Sequence, residues 1–246
     1  SDMLIDSSSC NLTLTNNGSI INNTDYKKGN GSLEFTGSSY LHIDSLTTNY
    51  FHPDTFTVSC WIKFTYTDQQ WITIVSARDS YTSGGWAIYL TQSELEFWTI
   101  QVSNHYVYET GLLLGNEDWT HITFTYNNTT RLVQFYKDGF FYGSSTLTSG
   151  YNPYDVTLRI GAIDTGFANK AQNESLMDDF RLYNRILTAN EVMGIYSYTL
   201  LRVTGYNTPY AYYWNGLVNE INDNAYIKLE KEAVDRGDKD LATNIR

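Results

Sequence analysis

Proline is scarce here, with 3 copies in 246 residues. The turns must therefore be made by Gly, Asn and Asp. Cysteine is scarcer: Cys10 and Cys60 are the whole supply, which rules out a disulfide framework. An even pair is compatible with one Cys10–Cys60 bridge in an exported domain, and equally with two buried thiols. Positive charge is also short, 16 Lys and Arg against 27 Asp and Glu, for a formal net charge of -11. Such a surface repels phosphate backbones and argues against nucleic acid as a partner, while it suits cations and neutral molecules such as sugars. No stretch approaches the roughly 18 consecutive apolar residues of a membrane span, so no membrane insertion is expected. No signal-peptide pattern opens the chain, so any targeting segment is expected to have been removed or never to have existed.

What is present is apolar, aromatic and finely alternating. The chain is 41% hydrophobic and 17% charged, with 21 Tyr and 6 Trp, enough to build a core and unlike a disordered or fibrous composition. Phe56, Val58, Cys60, Ile62 and Phe64 share one face of a strand, with Thr57, Ser59, Trp61, Lys63 and Thr65 on the other. Similar runs fall at 31–35, 40–43, 71–76, 86–91, 94–100, 119–126, 131–137, 140–144, 156–161 and 177–183, and weaker ones near Leu12 and Ile20. Asp138-Gly139 between two alternating runs is a strong hairpin signal, because a type I′ turn needs positive φ at both positions. In Met177 to Tyr183, plain alternation sets Met177, Asp179, Arg181 and Tyr183 against Asp178, Phe180 and Leu182. Thr188 and Glu191 then have capping-box spacing, with Leu187 as staple and Val192, Ile195 and Tyr196 as an apolar face. A dozen short strands separated by turn residues predict an all-β fold, a two-sheet antiparallel sandwich. The domain is drawn over residues 1–198. Residues 199–246 form a tail with a Tyr-rich loop, and a helix is predicted over 225–236 from the spacing of Tyr226, Leu229 and Ala233. Tyr206, Tyr210, Tyr212, Tyr213 and Trp214 in that loop are of the types that anchor protein interfaces, or pack on their own domain. Asn11, Asn17, Asn22, Asn30, Asn127, Asn128 and Asn173 each begin Asn-X-Ser/Thr, which points toward an extracellular glycoprotein.

Five segments in order resemble the concanavalin A-like, laminin-G-like jelly-roll family. They are Gly31-Ser-Leu-Glu-Phe-Thr-Gly-Ser-Ser-Tyr-Leu-His-Ile, Phe56-Thr-Val-Ser-Cys-Trp-Ile-Lys-Phe, Asp118-Trp-Thr-His-Ile-Thr-Phe-Thr-Tyr, Val133-Gln-Phe-Tyr-Lys-Asp-Gly, and Met177 through Val192. The resemblance implies a jelly-roll sandwich with a short C-terminal helical extension. It does not choose among lectins, adhesion modules, glycosidases and structural domains. Catalytic members carry Glu-X-Asp-X-X-Glu on one strand. Here Glu94 and Glu96 share a face, but Thr99 stands where the third acid belongs, so no enzyme is expected. A structural calcium is implied near the meeting of first and last strands, with Asp178, Asp25 and the Gly31 backbone as ligands; the alternative is that Asp178 pairs locally. Alternation places Trp61, Tyr89, Trp98, His121 and Tyr136 away from the core, with Glu96 and Gln134 beside them. Such aromatics mean contact with something: a carbohydrate, or the tail or a partner protein covering that face. The expected function is a lectin-like carbohydrate-binding or cell adhesion module at a cell or virion surface, its partner a sugar or surface glycoprotein. The alternatives are a structural subunit contacting partners through its tail and, more weakly, a glycoside hydrolase or lyase.

Overall fold

The computed structural model describes residues 4–6, 12–44, 50–64, 71–78, 84–91, 94–101, 104–112, 114, 118–153, 155–163, 175–204 and 227–231. Two antiparallel sheets pack face to face. The larger runs in the order β1 (Leu4–Asp6), β16 (Ile227–Lys231), β15 (Leu176–Tyr183), β6 (Thr55–Lys63), β11 (Thr120–Asn127), β12 (Leu132–Lys137), β13 (Phe140–Thr146); β4 (Ser32–Glu34) also pairs with β15, and β3 (Ile20–Asn22) with β4. The smaller runs β10 (Asn104–Glu109), β9 (Leu95–Gln101), β8 (Gly85–Thr91), β7 (Trp71–Ala77), β14 (Leu158–Ile160), β5 (Tyr40–Ile43), β2 (Thr15–Asn17). One helix, α1 (Ala189–Thr204), follows β15. The all-β jelly-roll sandwich expected from the alternation is the fold observed.

The core lies between the sheets. Phe56 of β6 stacks on Trp86 of β8 with ring centroids 4.5 Å apart, and Phe97 of β9 stacks on Phe124 of β11 at 5.7 Å. The Trp86 indole N–H donates to the Phe51 carbonyl at 2.8 Å, so its one polar atom is satisfied in the interior. Burying one such ring stabilises the fold by about 1.5–3 kcal/mol. The Asp138-Gly139 hairpin has φ of 50° and 81°, both positive as a type I′ turn requires. The capping box forms in both directions: Glu191 N–H donates to Thr188 Oγ1 at 3.3 Å, and Thr188 N–H donates to Glu191 Oε2 at 2.7 Å. Leu187 before the cap is buried.

Two expectations need correction. Plain alternation along β15 fails at its middle. Asp179 takes φ of 48° and the pairing with β6 slips between Asp178 and Arg181. The extra residue of this bulge resets the phase, so Met177, Phe180 and Leu182 all reach the core. The predicted helix over 225–236 is instead strand at Ile227–Lys231, paired on one side with β15 and on the other with β1. Sheet neighbours on both sides hold the segment, whereas a lone, thinly apolar helix this short is marginal in water. α1 runs through position 198 and ends at Thr204.

Candidate functional site

The expected sugar face divides between opposite sides of the molecule. Trp61, His121, Gln134 and Tyr136 stand on the outer face of the larger sheet, whereas Tyr89, Glu96 and Trp98 stand on the outer face of the smaller one. The first group is covered by the protein itself. Tyr196 of α1 stacks on Trp61 at 5.5 Å, leaving Trp61 2% exposed. Lys27 Nζ lies 5.1 Å from the centroid of the Trp61 ring. Tyr136 packs with Tyr183, Leu187, Val192 and Ile195 beneath the helix. Gln134 is half-buried, its side-chain oxygen accepting from Thr125 Oγ1 at 3.5 Å. His121 is fully buried; its Nε2 meets Ser59 Oγ at 3.0 Å, and burial lowers its pKa to about 3, so the ring is neutral. This Ser–His pair has no route to a substrate under Trp61 and α1. The aromatics of this face are therefore the seat of a helix and not an open platform.

The second group does form a surface. Antiparallel register sets Tyr89, Glu96 and Glu109 in one cross-strand row, with Ala87, Trp98 and Val107 in a second row beside it. Trp71 enters opposite Thr91, on the same face. Three rings then meet nearly at right angles: Trp71 with Trp98 at 5.1 Å and 89°, Trp71 with Tyr89 at 6.0 Å and 88°, and Tyr89 with Trp98 at 5.4 Å and 78°. His105 of β10 adds a fourth ring 4.9 Å from Trp98. Edge-to-face contacts of this kind lock the rings without using up all their faces. Ala87, Tyr89 and Ile163 form the buried base, while Trp71 and Trp98 stay partly open. Glu96, 7% exposed, accepts the Trp98 indole N–H at 2.7 Å. Burial raises its carboxyl above the usual range against that hydrogen bond, and the charges of Glu109 and Glu94 push the same way. Trp71 and His105 were missed in the sequence. A bulge between Thr73 and Val75 breaks the alternation that would have placed Trp71. His105 is set by its pairing with Ile100, which the sequence does not announce.

The residues expected to hold calcium do not fit it. Asp178 Oδ2 accepts the backbone N–H groups of Lys27 and Lys28, both at 2.7 Å, and Oδ1 accepts that of Asp179 at 2.7 Å. Asp25 is bound by Lys63 Nζ at 2.6 Å and the Trp119 indole at 2.6 Å. Burial pushes its pKa up, but these hydrogen bonds prevail and hold it below the usual carboxylate range. With both carboxylates facing N–H donors and lysines, a cation would meet occupied oxygens and like charge. Gly31 is buried against Ile21 and the Asn22 backbone. Among the described residues, no group of three or more His, Cys, Asp or Glu could hold a metal ion.

Cys60 is a free thiol buried in the core, and its ionisation is strongly disfavoured by burial; Cys10 lies outside the described residues. Asn128 is engaged through both amide atoms, donating to the Tyr151 carbonyl and accepting its N–H, each at 3.0 Å. Asn22 donates to Glu34 Oε2 at 2.9 Å and accepts from the Thr24 and Asp25 backbones. Asn17 bonds His42 at 2.8 Å, Asn127 accepts from Thr130, and Asn30 is exposed. Asn11, Asn173 and the loop aromatics Tyr206, Tyr210, Tyr212, Tyr213 and Trp214 lie outside the described residues. Of the acid pair, Glu94 accepts the Gly111 backbone N–H and Glu96 the Trp98 indole. Thr99 is buried and donates to the Ser149 carbonyl at 2.9 Å.

The jelly-roll sandwich is a lectin-like fold, and an aromatic cluster stands on one of its outer sheet faces. A family model matches residues 35–193, and the chain belongs to that family, the concanavalin A-like lectin/glucanases superfamily. No curated protein matches the chain in sequence. Among solved structures, the botulinum neurotoxin serotype D/C binding domain is similar with TM-score 0.64 at 15% identity, covering 80% of this chain and 50% of its own. The serotype G binding domain is similar with TM-score 0.59 at 20% identity, covering 78% and 48%. The binding domain of Paraclostridial Mosquitocidal Protein 1 follows with TM-score 0.60 at 19% identity, covering 79% and 51%. The chain thus spans about half the length of these structures. They are binding domains, and at these identities they show the shared fold.

Proposed function

We propose that this chain is a non-catalytic recognition module that binds carbohydrate on the outer face of the smaller sheet, at a cell or virion surface. The observation that carries this reading is the Trp71–Tyr89–Trp98 cluster, held rigid by mutual edge contacts and floored by the Glu96 carboxylate. Rigid aromatic faces stack on the apolar faces of sugar rings, and a fixed carboxylate accepts from their hydroxyls. Rigid side chains also lose little entropy on binding. A glycan array probed with the intact chain and with Trp98→Ala tests the proposal. Binding by the intact chain that falls at least tenfold in the variant is expected. Binding unchanged by the substitution would place recognition elsewhere.

A second reading, a structural subunit of a larger assembly, is favoured by β13. Among the described residues this strand ends the larger sheet and carries Phe140, Phe141 and Tyr142 at 65%, 54% and 46% exposure. Light scattering on the pure chain separates the two: a stable oligomer with no glycan binding supports the subunit.

A further inference from the structure

Resting on the recognition reading above, we propose that this face selects uncharged glycans and rejects sialylated or sulfated ones, with Glu96 as the residue that sets the choice. The register supplies the geometry. Tyr89, Glu96 and Glu109 form one row across three strands, so a sugar stacked on Trp98 in the adjoining row lies beside two carboxylates. Glu94 stands at the turn into β9, where Thr91 N–H donates to its carbonyl, and its own carboxylate is tied to the Gly111 backbone. Three acids thus flank one aromatic platform on a chain of net charge -11.

Glu96 is the member that can read a ligand. The Trp98 indole fixes one of its oxygens at 2.7 Å, and Thr91 contributes a further side-chain hydrogen bond. A carboxylate so oriented accepts hydrogen bonds and donates none while ionised. A hydroxyl group satisfies it. A sugar carboxylate or sulfate brings only acceptors and a second negative charge, and leaves Glu96 desolvated without a partner. Among the described residues, the guanidinium cations on this side are Arg78 and Arg159, 1% and 9% exposed; Arg78 directs Nη1 to the Tyr89 hydroxyl at 3.3 Å, and Arg159 donates from Nη1 to the Arg78 carbonyl at 2.8 Å. Both are buried and offer an acidic ligand little surface contact. Among the described residues, the imidazoles of His105, against Trp98, and of His42, paired with Arg159, also stand on this face.

The experiment uses the intact chain on an array of matched neutral, sialylated and sulfated glycans near neutral pH, followed by titration of the best neutral ligand. Neutral glycans should bind at least tenfold more tightly than their acidic counterparts. Glu96→Gln keeps the shape and one acceptor but removes the charge; it should weaken the neutral ligand about tenfold and narrow the neutral-to-acidic ratio. Glu109→Gln, at an exposed position, should narrow that ratio with little loss of neutral binding, and it guards against a folding defect at Glu96. Preference of the intact chain for acidic glycans, sensitive to Trp98→Ala, overturns the selectivity while the recognition face stands. Unaltered ratios in both glutamine variants do the same. No binding to any glycan, or binding indifferent to Trp98→Ala, overturns the recognition reading and the selectivity with it.

Discussion

Asp179→Asn is the substitution whose effect the structure specifies most closely. Asp179 and Arg181 are both fully buried on β15, and three hydrogen bonds join their side chains: Nη2 donates to Oδ2 at 2.8 Å and to Oδ1 at 2.9 Å, and Nε to Oδ1 at 3.0 Å. Lys28 Nζ adds a contact to Asp179 at 3.1 Å. Asparagine is tolerated at positive φ nearly as well as aspartate, so the bulge at φ 48° keeps its backbone. What changes is charge. The Arg181 guanidinium loses its carboxylate and keeps a neutral amide and the Tyr183 hydroxyl among its neighbours. Breaking a buried pair by removing one partner costs about 3–5 kcal/mol. At about 2–4 °C per kcal/mol for a chain of this size, the midpoint should fall by roughly 6–20 °C. Arg181→Met should cost less, because Asp179 keeps Lys28. The double variant Asp179→Asn/Arg181→Met should be more stable than the sum of the two single losses predicts, since it removes both charges. Urea unfolding of the four proteins, read by tryptophan fluorescence, measures all three losses. A loss under about 1 kcal/mol for Asp179→Asn, or strict additivity in the double variant, would refute the account of β15 as held by this pair.

Three further outcomes are expected. Gly161 has φ of 79°, and a Cβ there would stand 2.2 Å from Phe35 Cε1 in the core; Gly161→Ala should destabilise by at least about 1–3 kcal/mol in the same assay. Asp178 is held up to about 7 by burial first and by Asp179 second, against a usual value of 3.8. The folded state therefore binds the extra proton, and stability should fall as pH rises from about 4 to 7, by up to about 4 kcal/mol if this group acted alone; urea midpoints across that range should show a flatter slope in Asp178→Asn, and equal slopes would remove Asp178 as the cause. The Cys60 thiol should resist a water-soluble thiol reagent under native conditions and react only as fast as the fold opens; rapid native labelling of a Cys10→Ser variant would contradict its burial.

Much of the fold was legible because its signals are local. The β6 alternation, the Asp138-Gly139 turn and the Thr188–Glu191 box each lie within a few residues, and the structure contains all three. The failures share a different cause. The Asp178–Asp179 bulge, which reverses the phase of β15, depends on pairing with a strand far away in sequence. Residues 227–231 read as helix by spacing, yet two neighbouring strands make them a strand. At the site, alternation did identify Trp61, Tyr89, Trp98, His121 and Tyr136 as pointing away from the core. It could not say that two different sheets carry them, nor that α1 lies over Trp61, His121 and Tyr136. Asp178 was legible as a residue that matters at the meeting of N-terminal and closing segments, but its three backbone donors belong to positions no pattern in the sequence connects to a carboxylate.

The position of β6 in the larger sheet has a kinetic consequence. One of its neighbours, β11, pairs Ile122 with Cys60, and the other, β15, pairs Met177 with Ile62. The second closure spans about 115 residues, so loop entropy must be spent before the contacts that reward it exist. Folding dominated by such distant pairing takes milliseconds to seconds. Until β15 arrives, β6 offers one bare edge on a β-branched and aromatic strand whose one charge, Lys63, stands at its end. On a ribosome, that edge waits for more than a hundred further residues to be made, until Leu176–Tyr183 arrives to cover it.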